Sequence, residues 1–314
     1  MSELPADRVK VLYIVGAGRS GSTIVDNVLG QIPGYFSAGE IVYFWQRMLV
    51  EGRRCGCGSV GNECEVWARV IDQLGTPNEA TVNLMIGRTR SEMRIRHVPV
   101  MLTSRGMART RENLGPEYRD LLGGLYRSIA AVSGAQVVVD SSKFPGYGSV
   151  VADLPEVDMR VLHLVRDSRA VAYSWLRKKD QPDTDAIAHM MQRRPGTVAP
   201  RWMTANVASE ALWRRTPGSY VRIRYEDFVA DPQTTLDGAL QGLGMNPVPG
   251  GIIDNGYVHL GTNHTISGNP SRFATGAIRL RDDDEWKIKM SPKDSRLVTA
   301  VTWPLLLRYG YSRN

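Results

Sequence analysis

The sequence predicts an α/β fold in which helices cover both faces of a central parallel sheet. Five apolar runs of strand length alternate with segments of helical periodicity, a pattern typical of parallel sheets buried on both sides. A glycine-rich loop joins the first run to the first helix, and polar side chains directly follow the runs. The predicted strands are residues 10–15, a short run ending at 38–40, and residues 136–139, 160–165 and 220–224.

The glycine-rich loop, GAGRSGST at residues 16–23, has the G-x-x-x-x-G-x-[ST] spacing of a phosphate-binding loop. Its glycines allow backbone N–H groups to surround a phosphate, and the following helix points its positive end at the anion. Ser22 stands where loops that bind nucleoside triphosphates carry lysine, and Arg19 offers a positive charge instead. We therefore predict a P-loop-like, three-layer fold. The alternative is a glycine-rich turn without a ligand.

Polar side chains follow the predicted strands at the point where each strand ends. They are Arg19, Glu40, Lys143, Arg166 and Tyr225. Because ligands of parallel sheets bind beyond the carboxyl ends of the strands, we expect these side chains to converge on one edge of the sheet. This convergence predicts an active site there.

The domain organisation follows from length and patterning. The 314 residues contain no internal repeat or linker, so we expect a single domain over residues 1–314. Residues 66–132 are mainly helical in pattern and form a predicted helical insertion. Residues 179–200, rich in Pro, Asp and Met, are predicted to form a lid loop.

The amino-acid composition limits the classes of protein to which this chain can belong. Apolar residues make up 42% and charged residues 23% of the chain, as in ordinary globular proteins, and no apolar run is long enough to span a membrane. No secretory signal is recognisable at residues 1–8, so we expect a cytoplasmic protein. The net charge of +7 favours an anionic ligand. Because the basic residues form no block, nucleic acid is not expected as a partner.

Three cysteines, Cys55, Cys57 and Cys64, lie within ten residues. They could supply three thiolates to zinc, but a structural zinc site needs a fourth ligand, and none lies nearby at a familiar spacing. We therefore predict no metal and interpret the segment as a glycine-rich turn held by small buried thiols.

Three motifs carry a resemblance to a known family. Residues 18–23 (GRSGST) resemble the 5′-phosphosulfate loop of sulfotransferases that use 3′-phosphoadenosine 5′-phosphosulfate (PAPS), and residues 165–174 (VRDSRAVAYS) resemble their 3′-phosphate motif. Residues 224–232 (RYEDFVADP) are similar to the family's third block. Weaker similarities are CGCG at 55–58 with Cys64 and Trp67, DSSK at 140–143 and HTISGNPSR at 264–272. The pattern is closer to the bacterial and tyrosylprotein-type enzymes than to cytosolic aryl sulfotransferases, whose C-terminal Arg-Lys-Gly is absent.

The resemblance implies a donor, a reaction and a set of contacts. PAPS would donate a sulfuryl group to an acceptor hydroxyl by in-line displacement. Tyr225 would lie against the nucleotide, and Asn269 and Arg272 would replace the missing C-terminal contacts. The other residues that would bind the 5′-phosphosulfate and the 3′-phosphate are Gly18, Arg19, Ser20, Gly21, Ser22, Thr23, Arg166 and Ser174.

The reaction needs a base for the acceptor proton and positive charge at the leaving oxygen. Glu40 matches the family's general base, and Arg19 and Lys143 are the candidates for the leaving oxygen, with His264 as a reserve base. A single leaving phosphate requires no metal. Structural alternatives remain open: Glu40 as a helix N-terminal carboxylate, Lys143 as a solvated lysine, Arg166–Asp167 as a surface ion pair, and Tyr225 as a core aromatic.

Two other functions remain open at this point. One is a P-loop kinase or NTPase, with residues 137–140 (VVVD) as its magnesium-binding strand; the other is a non-catalytic nucleotide-binding module. The sequence does not identify the acceptor, for which a glycan, a lipid, a tyrosyl side chain and a small natural product all qualify. We expect the insertion and the lid to form its pocket. A homodimer is also left open.

Overall fold

A five-stranded parallel sheet forms the centre of the computed structural model, which describes residues 8–184, 189–216 and 218–311. The strand order is β2-β3-β1-β4-β5. The chain places two strands on one side of β1 and two on the other, so the loop after β1 lies where the direction of winding reverses. The five strands are β1 (Val9–Val15), β2 (Tyr35–Gly39), β3 (Val137–Lys143), β4 (Val157–Val165) and β5 (Tyr220–Arg224).

Helices follow the strands along the chain. They are α1 (Ser22–Leu29), α2 (Glu65–Gln73), α3 (Glu79–Glu92), α4 (Val98–Met101), α5 (Ser104–Ser133), α6 (Pro145–Ala152), α7 (Ser168–Leu176), α8 (Pro195–Trp213), α9 (Tyr225–Ala230), α10 (Pro232–Gly242), α11 (Glu285–Lys289) and α12 (Pro292–Arg308). Between β2 and α2, short 3₁₀ and π-helical segments cover Ile41–Tyr43, Phe44–Val50 and Gly61–Glu63.

Both faces of the sheet are buried, as the apolar strands predict. Val11, Tyr13 and Val15 belong to one hydrophobic core, which includes side chains of α5 and α6. Leu12 and Ile14, which alternate with them along β1, belong to a second core with α1 and α10. A third cluster joins α7, α8 and α12. The predicted three-layer α/β fold is confirmed.

The region between β2 and β3 is helical from Glu65 to Ser133, close to the predicted limits of 66 and 132. Its longest helix, α5, is kinked at Gly115, which has φ 77° and precedes Pro116. Proline removes a helical hydrogen bond and glycine tolerates the left-handed backbone, which together account for the kink. α2 and α3 both pack against α5.

The predicted lid differs from the structure at its C-terminal end. Helix α8 begins at Pro195, so residues 195–200 are helical rather than part of a loop. Proline is favoured in the first turn of a helix, where its missing N–H costs nothing. Residues 179–184 and 189–194 are largely irregular, with an isolated bridge between Asp180 and His189, and residues 185–188 lie outside the described part of the chain.

A second, antiparallel sheet was not expected from the sequence. It has the order β6-β7-β8, with β6 (Ile253–Asp254), β7 (Tyr257–Leu260) and β8 (Gly276–Arg279), and β7 packs against α1. These strands are too short to give a clear alternating pattern. Among the described residues, no helix combines the length and the apolar character needed to cross a membrane.

Candidate active site

The glycine-rich loop connects β1 to α1, and two of its glycines leave no room for a side chain. A Cβ atom on Gly16 would lie 2.4 Å from the carbonyl O of Leu164, and one on Gly21 would lie 2.3 Å from the ring of Tyr225. Both glycines have positive φ, 144° and 90°. The loop backbone is therefore held directly against β4 and against Tyr225.

Within this loop, the Oγ atom of Ser20 is buried without a hydrogen-bond partner among the described residues. A buried hydroxyl without a partner is costly, so its presence suggests that a ligand completes the site. Ser22 begins α1 and is buried, and the hydroxyl of Thr23 accepts a hydrogen bond of 3.1 Å from the backbone N–H of Asn269. Loop and helix together form a cradle of the kind that binds phosphate.

Arg166, directly after β4, contacts this loop. Its Nη1 donates a hydrogen bond of 3.2 Å to the carbonyl O of Arg19, and its guanidinium lies 4.7 Å from the ring centre of Tyr225. Asp167, by contrast, caps α7 and pairs with Arg169. The side chain of Arg166 is buried, so the alternative of a surface Arg166–Asp167 ion pair is wrong.

Positive charge accumulates around the loop. Burial lowers the pKa of Lys179, and the neighbouring charges of Arg177 and Arg19 lower it further. Burial likewise lowers the pKa of Arg19, an effect opposed by Glu40. The carboxylate of Asp283 pairs with Arg166 at 3.2 Å and also with Arg177. Four buried or half-buried cations with this acidic partner leave an excess of positive charge that an anion would neutralise.

Glu40 follows β2 and is bound by three neighbours. Lys143 Nζ donates to Oε1 at 2.5 Å, the hydroxyl of Ser267 donates to Oε2 at 3.1 Å, and Arg47 Nη1 lies 3.8 Å from Oε2. Burial on its own would raise the pKa of Glu40, but Lys143, Arg47 and these hydrogen bonds lower it below its ordinary value. Glu40 is therefore a largely but not fully buried carboxylate that is ionised at neutral pH.

Backbone conformation also distinguishes two of these residues. Arg19 and Lys143 both have φ 72°, a left-handed conformation that residues other than glycine rarely adopt. Such conformations are concentrated at functional sites, where the surrounding structure enforces them. Here the conformation orients two long cationic side chains at the edge of the sheet.

A cavity of about 530 Å³ opens beside this group of residues. The glycine-rich loop and Lys143 form one wall, α3 contributes Thr89 and Arg90, and α8 contributes Trp202. Most of the lining is apolar or aromatic; it includes Val42, Tyr43, Trp45, Ile86, Met93, Phe144, Tyr147, Val171, Trp175 and Val198. The cavity therefore suits a ligand with an apolar body.

Comparison with known proteins identifies the family. A family model described as the sulfotransferase family matches residues 12–249. The chain belongs to the sulfotransferase family. The match covers both the glycine-rich loop and the Arg166 segment.

The sulfotransferase also resembles solved structures in its fold. The sulfotransferase domain of the Synechococcus PCC 7002 olefin synthase is 20% identical, with a TM-score of 0.54 over 99% of this chain and 98% of that one. The sulfotransferase domain from the curacin biosynthetic pathway is 15% identical, with a TM-score of 0.55 over 98% of this chain and 100% of that one. No curated protein matches the sequence significantly.

Most of the residues predicted from the sequence of this sulfotransferase come together. Lys143 contacts Glu40, Arg166 contacts the Arg19 backbone, and Tyr225 packs against Gly21. Ser174 is buried in α7. Asn269 contacts the loop through its backbone, while its side chain caps a 3₁₀ turn, Pro270–Phe273.

Two predicted residues lie elsewhere. The guanidinium of Arg272 is buried and donates to the carbonyl O atoms of Thr265 and Arg54, so its contacts do not support a role at the donor site. His264, considered as a reserve base, places its Nδ1 3.2 Å from the Sγ of Cys64. Both side chains serve the cysteine-containing loop instead.

Asp140 does not have the placement that a magnesium-binding strand of a kinase would require. Its carboxylate is fully buried and accepts hydrogen bonds from the Tyr126 hydroxyl and from the backbone N–H and hydroxyl of Ser142. Burial raises its pKa to about 6, partly offset by those hydrogen bonds. Its oxygens face the protein interior, where they tie β3 to α5.

Several residues that shape the site were not expected from the sequence. Asp26 accepts hydrogen bonds of 2.7 Å from the hydroxyls of Ser37 and Ser141, which joins α1 to β2 and β3 behind the loop. Burial raises the pKa of Asp26 to about 7, although both hydroxyls oppose the shift. Asp283 and Arg47 were also missed, since neither belongs to a local motif or follows a strand.

Proposed function

We propose that this protein transfers a sulfuryl group from PAPS to a hydroxyl of an acceptor with an apolar body. The contact between Arg166 and the Arg19 carbonyl carries the proposal, because a cationic side chain that could bind a second anionic group then lies beside the glycine-rich loop. PAPS has two such anionic groups, a 5′-phosphosulfate and a 3′-phosphate.

The chain's own groups fit the donor. The backbone of residues 18–23, the unpartnered Ser20 hydroxyl and the N-terminus of α1 would hold the 5′-phosphosulfate. Arg166 and the Ser174 hydroxyl would bind the 3′-phosphate by charge-assisted hydrogen bonds. The ring of Tyr225, which packs against Gly21 and lies 4.7 Å from the Arg166 guanidinium, would contact the nucleotide.

The residues around Glu40 supply the chemistry. PAPS provides a sulfuryl group whose bond to the 5′-phosphate oxygen breaks as a bond to the acceptor oxygen forms. Glu40 takes the proton of the acceptor hydroxyl. Lys143 and Arg19 offset the negative charge that develops on the departing phosphate oxygen, to which the electron pair of the broken bond goes.

The lining of the cavity is the basis for the proposed kind of acceptor. This lining is mainly aromatic and aliphatic, and its polar groups include Lys143, Arg90, Arg94, Arg193 and Arg201. An aromatic or lipid-like alcohol would bury its body there and present its hydroxyl toward Glu40. The cytoplasmic location and a homodimer stay predictions.

Donor choice can be tested by thermal unfolding. We expect adenosine 3′,5′-bisphosphate, the product of the donor, to raise the melting temperature without added metal, because a ligand that binds only the folded state stabilises it. ATP with Mg²⁺ should have a smaller effect, since Ser22 replaces the lysine that would bind its phosphates. A larger shift with ATP and Mg²⁺ would instead support a kinase or NTPase.

The role of Arg166 can be tested with two ligands that differ only in the 3′-phosphate. Arg166→Ala should weaken binding of PAPS by tenfold or more, because a hydrogen bond to a charged group contributes about 1.5–3 kcal/mol. Adenosine 5′-phosphosulfate, which lacks the 3′-phosphate, should lose much less. Calorimetric titration measures both, and equal losses would give Arg166 another role.

A second variant should strengthen nucleotide binding, in contrast to Arg166→Ala. The carboxylate of Asp283 competes with any phosphate for Arg166, so Asp283→Asn should strengthen binding of adenosine 3′,5′-bisphosphate. Asp282→Asn is the matched control. Asp282 is exposed, and its substitution removes the same charge one position earlier in the chain. If both variants change affinity equally, the effect is one of general charge and not of this ion pair.

A further inference from the structure

Three cysteines and one histidine meet in a cluster that the proposed reaction does not use. The sulfur atoms of Cys55, Cys57 and Cys64 and a ring nitrogen of His264 all lie within 4.8 Å of one another. Cys55 and Cys64 are buried, while Cys57 and His264 are half-buried. The fourth group missing from the sequence pattern is therefore supplied from 200 residues further along the chain than Cys64.

The spacing of these atoms fits four ligands around one ion. Cys57 Sγ lies 3.7 Å from Cys64 Sγ, and His264 Nδ1 lies 3.2 Å from Cys64 Sγ and 3.8 Å from Cys55 Sγ. A tetrahedral zinc site with ordinary bond lengths has about 3.8 Å between two sulfurs and about 3.6 Å between sulfur and nitrogen. A disulfide would need about 2.0 Å, and all three cysteines are free.

Local backbone geometry orients the cysteines. The N–H of Gly58 donates to the carbonyl O of Cys55, and the N–H of Cys55 donates to the carbonyl O of Ser59, which forms a tight turn around Cys57. Gly56 has no room for a side chain, because a Cβ there would lie 2.0 Å from Asn263 Oδ1. Cys64 stands at the N-terminus of α2, where the helix dipole favours a thiolate.

Further hydrogen bonds hold the two ligand-bearing segments together. The guanidinium of Arg272 donates to the carbonyl O of Arg54, just before Cys55, and to that of Thr265, just after His264. The indole N–H of Trp67 donates to the carbonyl O of His264 at 2.7 Å. Arg272 is fully buried and its guanidinium also pairs with Asp183 at 3.4 Å, so its contacts hold it here and not at the donor site.

We propose that Cys55, Cys57, Cys64 and His264 bind one structural zinc ion. Three thiolates and an imidazole are the ligand types zinc prefers, and four protein ligands leave no open position for catalysis. Zinc binding would release the thiol protons to solvent. The ion would fix His264, three residues before Ser267. Because the Ser267 hydroxyl donates to Glu40, the ion would also help to hold that carboxylate in position.

Metal content is the first test. Protein purified from zinc-supplemented medium without chelators should contain about one zinc ion per chain by elemental analysis. Titration of the metal-free protein with Co²⁺ should produce the near-ultraviolet charge-transfer band of thiolate-bound cobalt. Substoichiometric metal together with no such band overturns the proposal, as does a Cys57–Cys64 disulfide in freshly purified, unoxidised protein.

Variants identify the ligands. His264→Ala and Cys57→Ser should each weaken Zn²⁺ affinity by more than the about 10–100-fold that loss of an outer hydrogen-bond partner causes. His259→Ala is the matched control, because His259 is an exposed histidine of β7, and its affinity should equal that of the wild type. If the Zn²⁺ affinity of His264→Ala is unchanged, His264 is not a ligand and the proposed site is overturned. If a variant does not fold, the Co²⁺ spectrum of the wild-type protein decides whether the cysteines bind a metal ion. These measurements do not depend on the identity of the sulfuryl donor.

Discussion

Glu40→Gln is expected to reduce the rate of sulfuryl transfer by about 10²–10⁴, the usual effect of removing a general base. Glutamine keeps the size of the side chain and can still accept a hydrogen bond from Lys143, but it cannot accept the acceptor's proton. Affinity for adenosine 3′,5′-bisphosphate should remain nearly unchanged, because Glu40 contacts Lys143, Ser267 and Arg47 and none of the residues proposed to bind the 3′-phosphate.

The control for this variant is Glu112→Gln, which makes the same substitution on the exposed face of α5 and should leave the rate unchanged. A Glu40→Gln enzyme with most of its activity would exclude Glu40 as the base. His264 would not take its place, since its Nδ1 faces the cysteine sulfurs.

Lys143→Met should lower the rate by about 10²–10³, the cost of removing one group that stabilises a developing negative charge. Its second effect is on pH dependence. Lys143 lowers the pKa of Glu40, so without this cation the pKa of Glu40 should rise. The acid limb of the kcat/KM profile, where Glu40 becomes protonated, should therefore move to higher pH.

The paired readout separates a chemical role from a structural one. Lys289→Met, on an exposed turn of α11, serves as the matched control and should change neither the rate nor the profile. If Lys143→Met lowers the rate but leaves the acid limb unmoved, Lys143 and Glu40 are not coupled in the working enzyme. An unchanged rate would exclude Lys143 as the group that stabilises the leaving oxygen.

The sequence predicted the sheet well because its signal is local. The strands β1, β3 and β4 contain apolar runs, and residues directly after a strand must lie at one edge of a parallel sheet. Glu40 directly follows β2 and Lys143 is the last residue of β3, and they contact each other as this rule requires. Arg166, directly after β4, likewise lies beside the glycine-rich loop.

Long-range contacts escaped the same reasoning. His264 and Cys64 are 200 positions apart, and no local spacing could join them. The sequence position of Arg272 suggested a donor contact, whereas its buried guanidinium binds two carbonyl O atoms of the cysteine-containing region. The sequence predicts a lid that extends to residue 200, because proline is common in loops, whereas Pro195 begins helix α8.

The most direct test of the account is transfer of radioactive sulfur from labelled PAPS to a panel of hydroxyl acceptors weighted toward aromatic and lipid-like alcohols. We expect a labelled sulfate ester and an equal amount of adenosine 3′,5′-bisphosphate, formed without added metal. Tight binding of the bisphosphate with no labelled ester from any acceptor would contradict it and would support a non-catalytic nucleotide-binding module.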